Sequence, residues 1–148
     1  MNRKKQNVGN EIINYNDRQR KEDKMTGIIV CGGRDFNDWQ LLEASLDTIL
    51  LGIDDEIEII TGGAKGADTL AKKYAQENGY ALKEFRADWK RYRRGAGPVR
   101  NAEMLKYALT LENAMVAGFW DGKSRGTADM LQKARAKGIK TYEIRYEK

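Results

Sequence analysis

Two patterns of hydrophobic and polar positions alternate along the chain from Met25 onward. Short runs of strand-forming residues predict five strands, at residues 27–31, 57–61, 81–86, 113–120 and 139–145. Between them, apolar residues recur every three or four positions, which predicts helices at residues 38–51, 67–78, 98–108 and 127–137. Because strands and helices alternate and most strands are apolar throughout, the pattern indicates an α/β Rossmann-like three-layer sandwich with a five-stranded parallel sheet.

Four polar or glycine-rich segments each follow a predicted strand. They are CGGRDF (31–36), TGGAKGAD (61–68), ADWKRYRRGAGP (87–98) and WDGKSRGT (120–127). In open parallel sheets, ligands bind beyond the carboxyl ends of the strands, close to the point where the strand order reverses. We therefore expect the four segments to converge on one cleft.

The segment TGGAKGAD is a candidate phosphate site. Its glycines, Gly62, Gly63 and Gly66, allow backbone N–H groups to approach an anion where the next helix begins, and the helix dipole favours negative charge there. The segment matches neither the dinucleotide fingerprint nor the P-loop, so these glycines can equally serve a tight turn alone. Asp68 is either an acid of the first helical turn or an acceptor for a ribose hydroxyl or a base.

The segment GKSRGT, residues 122–127, predicts a second anion site. Ser124 and Thr127 supply hydroxyl groups, the backbone supplies N–H donors, and Lys123 or Arg125 adds positive charge. Taken alone, Ser124 also fits a simple helix cap. Two such sites on neighbouring strands suit a ligand that has a phosphate and a second polar end.

The third segment adds aromatic and cationic side chains. Trp89 and Tyr92 can stack on a base while the arginines pair with phosphate; alternatively, Trp89 packs at the domain edge and the arginines face solvent. Arg34 and Asp35 follow the first strand and face the same cleft by topology. Trp120 ends the fourth strand, where it either lines the cleft or lies at the edge of the core.

The residue composition excludes several kinds of chemistry. The 148 residues include no His, which excludes Ser-His and Cys-His catalysis and most zinc sites. Cys31 is the single cysteine, so no intramolecular disulfide can form. No run approaches the roughly 20 apolar residues of a membrane span, and the N-terminus lacks the apolar core of a signal peptide. We therefore expect a reducing, cytoplasmic setting.

Basic charge is concentrated at the N-terminus. The net charge is +5, and residues 1–24 hold seven Lys or Arg against four Asp or Glu, which leaves +2 for the rest. We predict a disordered basic tail over residues 1–24, because its few apolar residues cannot offset the entropy cost of ordering it, and one domain over residues 25–148. The tail can alternatively be a nucleic-acid-binding arm, although the nearly neutral body disfavours nucleic acid as a partner.

Four motifs, in this order and spacing, resemble one known family. They are CGGRDF, TGGAKGAD-x-LA, ADW-x5-GAG-x2-RNAEM and FWDGKSRGTADM, and they span about Thr26 to Tyr142. The combination resembles the YspA-like branch of the SLOG superfamily, which is related to the LOG phosphoribohydrolases and to the Rossmann domain of DprA. The resemblance implies a domain that binds nucleotides or nucleotide-derived ligands, and relatives that often pair through helices. A small domain with a basic tail would suit a bacterial or phage protein.

A comparison with the LOG enzymes separates binding from catalysis. These enzymes carry an Arg in an RK-x2-M helix and a Glu in PGG-x-GT-x2-E, and that pair is associated with cleavage of the ribose–base bond. Residues 100–104 match the first pattern and Gly126-Thr127 match part of the second, but Met130 stands where the Glu would be. A Met cannot donate a proton, so a hydrolase would need another carboxylate. The catalytic candidates are Arg100, Glu103, Asp68 and Asp129.

We therefore expect a module that binds a nucleotide or nucleotide-derived small molecule as a sensor, sequestering or processing protein, with Mg²⁺ as an optional companion of the phosphates. The alternatives are a LOG-like hydrolase of N-glycosidic or phosphate bonds, a DprA-like single-strand binder, and an interaction domain whose loops stay empty. The expected ligand-binding residues are Gly32, Gly33, Arg34, Asp35, Gly62, Gly63, Ala64, Gly66, Asp68, Trp89, Arg100, Asn101, Ser124, Gly126 and Thr127.

Overall fold

The computed structural model describes residues 24–147, in which strands and helices alternate. The strands are β1 (Met25–Gly32), β2 (Glu56–Thr61), β3 (Ala81–Glu84), β4 (Asn113–Trp120) and β5 (Lys140–Arg145). The helices are α1 (Trp39–Leu50), α2 (Ala67–Asn78), α3 (Trp89–Tyr92), α4 (Ala96–Ala108) and α5 (Arg125–Ala136), with a 3₁₀ turn at Arg93–Gly95. Residues 1–23 of the predicted tail lie outside the described residues. Across residues 24–147, no helix has the length and apolar character needed to cross a membrane.

All five strands are parallel and form one sheet in the order β3-β2-β1-β4-β5. Ile28 of β1 pairs with Ile59 of β2 on one side and with Met115 of β4 on the other. The strand order therefore reverses between β1 and β4, and this is where a parallel sheet opens a crevice at its carboxyl edge. The predicted α/β Rossmann-like sandwich is confirmed.

Helices cover both faces of the sheet, and each face has its own apolar core. On one face, α1 and α2 pack through a cluster that includes Leu42, Leu46, Tyr74, Ile28 and Ile59. On the other face, α4 and α5 pack through Met104, Leu105, Met130, Leu131 and Ile29. Burying each large side chain of this kind contributes about 1.5–3 kcal/mol, so the two helix pairs are firmly held and can position the loops between them.

Most predicted boundaries agree with the structure, and the bounds of α2 and β4 coincide with the prediction. The prediction of a continuous loop over residues 87–98 was wrong, because α3 and the 3₁₀ turn lie within it and α4 begins two residues before Pro98. Asp88 caps α3, since its Oδ1 accepts a hydrogen bond from the Arg91 N–H at 3.1 Å. Ala96 is fully buried and anchors the start of α4.

Candidate functional site

A cleft of about 740 Å³ opens at the carboxyl edge of the sheet, between the loops that follow β1, β2, β3 and β4. The four sequence segments therefore do converge. The predicted ligand-binding residues that line the cleft are Gly32, Gly33, Arg34, Asp35, Gly62, Ala64, Asp68, Trp89, Arg100, Asn101, Ser124, Gly126 and Thr127. Two predicted residues, Gly63 and Gly66, are not part of the lining.

Some lining residues were not predicted as site residues. They are Cys31, Arg94, Gly97, Pro98, Met104 and Asp121. Asp121 follows β4 directly, as Asp35 follows the end of β1, so topology could have identified it. Cys31 and Met104 form part of the apolar floor, and their positions in a strand and a helix gave no signal that they face a ligand. Burial raises the pKa of the Cys31 thiol, which therefore stays protonated.

Gly66 has a packing role. Its φ is +77°, and a Cβ atom there would lie 2.2 Å from the Gly33 carbonyl oxygen. The adjacent Ala67 N–H donates to the same oxygen at 3.3 Å. The first turn of α2 therefore packs closely against the loop after β1. This contact joins two sides of the cleft and needs a residue without a side chain.

Asp68 occupies the backbone donors of the TGGAKGAD segment. Its Oδ2 accepts hydrogen bonds from the N–H groups of Gly62 at 3.0 Å and Ala64 at 3.1 Å. The sequence left open whether the N–H groups of this loop bind a phosphate or serve a turn, and in the structure those of Gly62 and Ala64 bind an acid in the first turn of α2. Burial raises the pKa of Asp68, while the two N–H bonds and the charge of Arg100 partly offset that effect.

Arg100 joins α4 to the same loop. Its Nη1 donates to the Gly62 carbonyl oxygen at 2.6 Å, and its Nε donates to Asn101 Oδ1 at 3.3 Å. A Cβ atom on Gly62 would lie 2.5 Å from Nη1, so Gly62 makes room for the guanidinium group. Arginine has five N–H donors, and these bonds use two of them. Within residues 24–147 the other donors have no hydrogen-bond partner, so they are available at the cleft.

Asn101 connects α4 to α5. Its Nδ2 donates to the Gly126 carbonyl oxygen at 3.2 Å and to Asp129 Oδ2 at 3.0 Å. Lys133 Nζ lies 2.8 Å from the same carboxylate oxygen and donates to the Pro98 carbonyl oxygen at 3.1 Å. The network orients Asn101 and Asp129 at the cleft and holds the beginning of α4 against α5.

The amino terminus of α5 forms one wall of the cleft. Asp121 Oδ1 accepts hydrogen bonds from the N–H groups of Lys123 and Ser124, both at 2.8 Å, which shapes the turn before the helix. The Ser124 hydroxyl does not cap α5 and instead lies 3.4 Å from Thr127 Oγ1. Helix geometry leaves the first N–H groups without partners inside the helix. The α5 terminus is therefore suited to an anion.

The charges around the cleft favour an anionic ligand. All four lining carboxylates accept hydrogen bonds from the protein; they are Asp35, Asp68, Asp121 and Asp129. The five lining cations are Arg34, Arg94, Arg100, Lys123 and Arg125. Within residues 24–147, none of these cations has a carboxylate oxygen within 4.0 Å. The cleft thus holds cations whose charge is not paired locally.

Aromatic residues take separate roles at the cleft. Trp89 is half exposed and lies at the rim, with the Arg34 guanidinium 5.8 Å from its ring centre. Tyr92 is exposed and does not line the cleft. Trp120 belongs to the edge of the core, where its indole N–H donates to the Ser124 carbonyl oxygen at 2.9 Å. Only Trp89 of these three is placed to meet a ligand.

The position of Met130 bears on catalysis. Its side chain is fully buried in the core between α5 and the sheet. This position therefore supplies no proton donor to the cleft. Among the substitute carboxylates, Glu103 is exposed and lies outside the lining, whereas Asp68 and Asp129 line the cleft. No group of three or more Cys, Asp or Glu side chains in the described part of the chain could hold a metal ion.

Comparisons with known proteins identify the family that the chain resembles. The family described as "YspA, cpYpsA-related SLOG family" matches residues 26–92, which include the segments after β1 and β2. The chain is also 30% identical over 124 residues to the Gene 61 protein of Mycobacterium phage D29, covering 78% of this chain and 93% of the phage protein.

Proposed function

Because the chain belongs to the YspA, cpYpsA-related SLOG family, we propose that its cleft binds a nucleotide or a nucleotide-derived small molecule. The phosphate lies at the amino terminus of α5, and the sugar and base extend towards the loops after β1 and β2. The cleft of about 740 Å³ is within the range of roughly 300–1,000 Å³ that small-molecule sites have. The protein acts as a sensor or sequestering module for this ligand.

Gly126 carries the proposal. It lies in the first turn of α5 and lines the cleft. Outside its own helical turn, a Cβ atom there would meet no atom of residues 24–147 within 4 Å, and its φ is not positive. Neither packing nor backbone conformation therefore requires a glycine, which costs a helix up to about 1 kcal/mol relative to alanine. Close approach of a ligand to the backbone N–H groups explains why the position has no side chain.

The surrounding charges support a phosphate at this place. Lys123 and Arg125 flank the helix terminus and have no ion-pair partner within residues 24–147. Arg100 adds donors from the opposite wall. A phosphate at a helix terminus gains both from backbone donors and from the helix dipole. Trp89 and Arg34 at the rim are then placed to stack on or pair with the remainder of the ligand.

The LOG-like hydrolase is a weaker proposal, because the position of its Glu is the buried Met130. A DprA-like strand binder would need a cationic track beyond the cleft. Salt dependence distinguishes a strand binder from a protein that binds a small nucleotide, since the affinity for a single strand falls steeply as the salt concentration rises.

Ligand binding can be tested by thermal shift and calorimetry on the full chain. The probes are AMP, ADP, NAD, ADP-ribose and cyclic nucleotides, each with and without Mg²⁺, and a single-stranded oligonucleotide. A bound probe at one hundred times its dissociation constant should add about 2.7 kcal/mol to the free energy of unfolding. Chromatography of each mixture shows whether the probe is consumed, which would move the protein to the enzyme class.

The variant Gly126→Ala tests the position of the phosphate. It should fold as stably as the parent or gain up to about 1 kcal/mol, and it should lose most of the ligand-induced stabilisation. Gly95→Ala is the matched control, because Gly95 also has helical backbone angles and open space around its Cβ but lies outside the cleft lining. Equal ligand responses in both variants would contradict the placement at α5. No response to any probe would favour an interaction domain.

A further inference from the structure

Asp68 has one carboxylate oxygen engaged with the protein and one that is not. Oδ2 accepts the two backbone hydrogen bonds from the loop after β2, whereas no donor among residues 24–147 reaches Oδ1. The residue is only 6% exposed, and it lines the cleft. Thr61 Oγ1 is the one side-chain polar atom of the described residues that is sealed from solvent without a partner, so Oδ1 keeps contact with the cleft.

An ionised carboxylate oxygen can only accept hydrogen bonds. A ligand donor that reaches Oδ1 through the cleft would form a hydrogen bond to a charged group, which is stronger than one between neutral groups. Arg100, whose charge acts on the Asp68 carboxyl group, directs its hydrogen bonds to Gly62 and Asn101 instead. The missing donor must therefore come through the cleft.

Strand geometry indicates which part of a nucleotide supplies that donor. Asp68 follows β2 and the α5 terminus follows β4, and β1 lies between them. Adjacent strands are about 4.8 Å apart, so β2 and β4, from which the two sites follow, are separated by roughly 10 Å. A sugar phosphate with a hydrogen bond at each end spans a comparable distance. A base would lie farther from the phosphate.

We propose that Asp68 is a specificity-determining residue that accepts a hydrogen bond from a hydroxyl of the ligand's sugar, which makes ribonucleotide-type ligands the preferred class. The inference rests on the proposed function, because it uses the phosphate position at α5 to place the sugar. Oδ2 stabilises the loop after β2 through its two hydrogen bonds, and Oδ1 accepts the hydrogen bond from the sugar hydroxyl group.

The variant Asp68→Asn separates these two roles. The asparagine carbonyl oxygen can still accept both backbone N–H bonds, and its NH₂ group then stands where Oδ1 was. The loop after β2 keeps both hydrogen bonds to this side chain, but the acceptor for the ligand hydroxyl group is lost. A purely structural Asp68 would leave discrimination between sugars unchanged in this variant.

The experiment is a calorimetric titration of the full chain with ADP, 2′-deoxy-ADP and 3′-deoxy-ADP. One of the deoxy probes should bind about 10- to 100-fold more weakly than ADP, the effect expected for loss of a hydrogen bond to a charged group. In Asp68→Asn, that difference should shrink to about threefold or less. Glu77→Gln is the control, because Glu77 lies on the same helix in an exposed ion pair and should keep the full difference.

Each outcome decides between the two proposals. Equal affinity of the parent protein for all three probes would overturn the role of Asp68 and leave nucleotide binding intact. Persistent discrimination in Asp68→Asn would also overturn it, because another residue would then read the hydroxyl group. If none of the three probes binds the parent protein while another nucleotide of the thermal-shift screen does, the proposed role of Asp68 in ADP-type ligands is overturned and nucleotide binding stands. If no nucleotide of either experiment binds, both proposals fail.

Discussion

Glycines of the two glycine-rich segments, TGGAKGAD and GKSRGT, have different roles. Gly66 has a positive φ and no space for a side chain, whereas Gly126 has a permissive backbone and open space around it. Gly62 is different again, since it accommodates the Arg100 guanidinium. Gly62 and Gly66 are therefore explained by packing, whereas no contact among the described residues explains Gly126, and this difference is the basis of the proposed phosphate position.

Gly66→Ala should destabilise the protein by about 2–4 kcal/mol. The new Cβ would need to displace the Gly33 carbonyl oxygen, and the backbone would also be strained for a residue with a side chain. Chemical denaturation measures the change. Gly52→Ala is the control, because Gly52 has φ +81° but nothing within 4 Å, and only the conformational cost of about 1 kcal/mol should appear. A similar loss in both variants would show that the close contact is unimportant.

Among the elements, the segment between β3 and α4 shows that short helices can form in a polar sequence without a periodic apolar pattern. The run WKRYRR lacks apolar periodicity, so it was interpreted as a loop. Its helical conformation depends on the Asp88 cap and on the following buried start of α4. The segment places Trp89 and Arg94 at the cleft while Tyr92 stays outside.

Arg93 lies at a strained junction between α3 and the 3₁₀ turn. Its φ is +56° and its ψ is −126°, a conformation that glycine adopts readily and that costs other residues about 1–3 kcal/mol. Arg93→Gly should therefore raise the free energy of unfolding by about 1 kcal/mol, after subtraction of the entropy cost of glycine. Denaturant titration of this variant and of Arg91→Gly, which should only destabilise α3, checks the prediction. A loss in both would indicate that Arg93 is not strained.

The sheet order explains the position of the cleft at the scale of the whole molecule. The order β3-β2-β1-β4-β5 places the loops after β1 and β4 on opposite sides of the reversal point, with helices on both faces. The loops of four strands then surround one cavity. Positive and negative charges nearly balance over residues 25–148. At the cleft, however, the carboxylates are hydrogen-bonded, whereas the cations have no ion-pair partner among residues 24–147.

The pH dependence of global stability should report the burial of Asp68. Burial raises its pKa in the folded protein above the unfolded value of about 3.9, so the folded state binds more protons between these two values. The contribution of Asp68 to the free energy of unfolding should therefore fall as the pH rises from the unfolded pKa to the raised pKa of the folded state. Above the raised pKa this contribution is lost completely. Arg100 and Glu84 face the same carboxyl group, with opposite effects on the shift.

Asp68→Asn isolates this effect. The variant should be as stable as the parent or more stable at pH 7, and the difference should diminish as the pH falls towards 4, because the parent is then protonated. Thermal denaturation of both proteins across this range measures it. A variant that is less stable than the parent at pH 7, by an amount that grows with pH, would show that the ionised carboxylate is stabilising. Improved stability with lost sugar discrimination is the expected signature of a functional residue.

Much of the fold could be predicted from the sequence, because its signals are local. The spacing of apolar residues is set by the geometry of one helix or strand, so the bounds of α2 and β4 were predictable from their own residues. The convergence of the loops followed from the rule for parallel strands. The short α3 was missed, since its stability comes from a cap and from neighbouring packing.

Local patterns in the sequence predict the five strands, the four long helices, the parallel α/β class and the loops that surround the cleft. The tertiary structure decided which groups in those loops remain available to a ligand. Asp68 takes the donors of Gly62 and Ala64, Arg100 reaches Gly62 across 38 positions of sequence, and Met130 turns into the core. The physical reason is that hydrogen-bond partners and burial depend on distances between remote segments, which no local pattern of side chains contains.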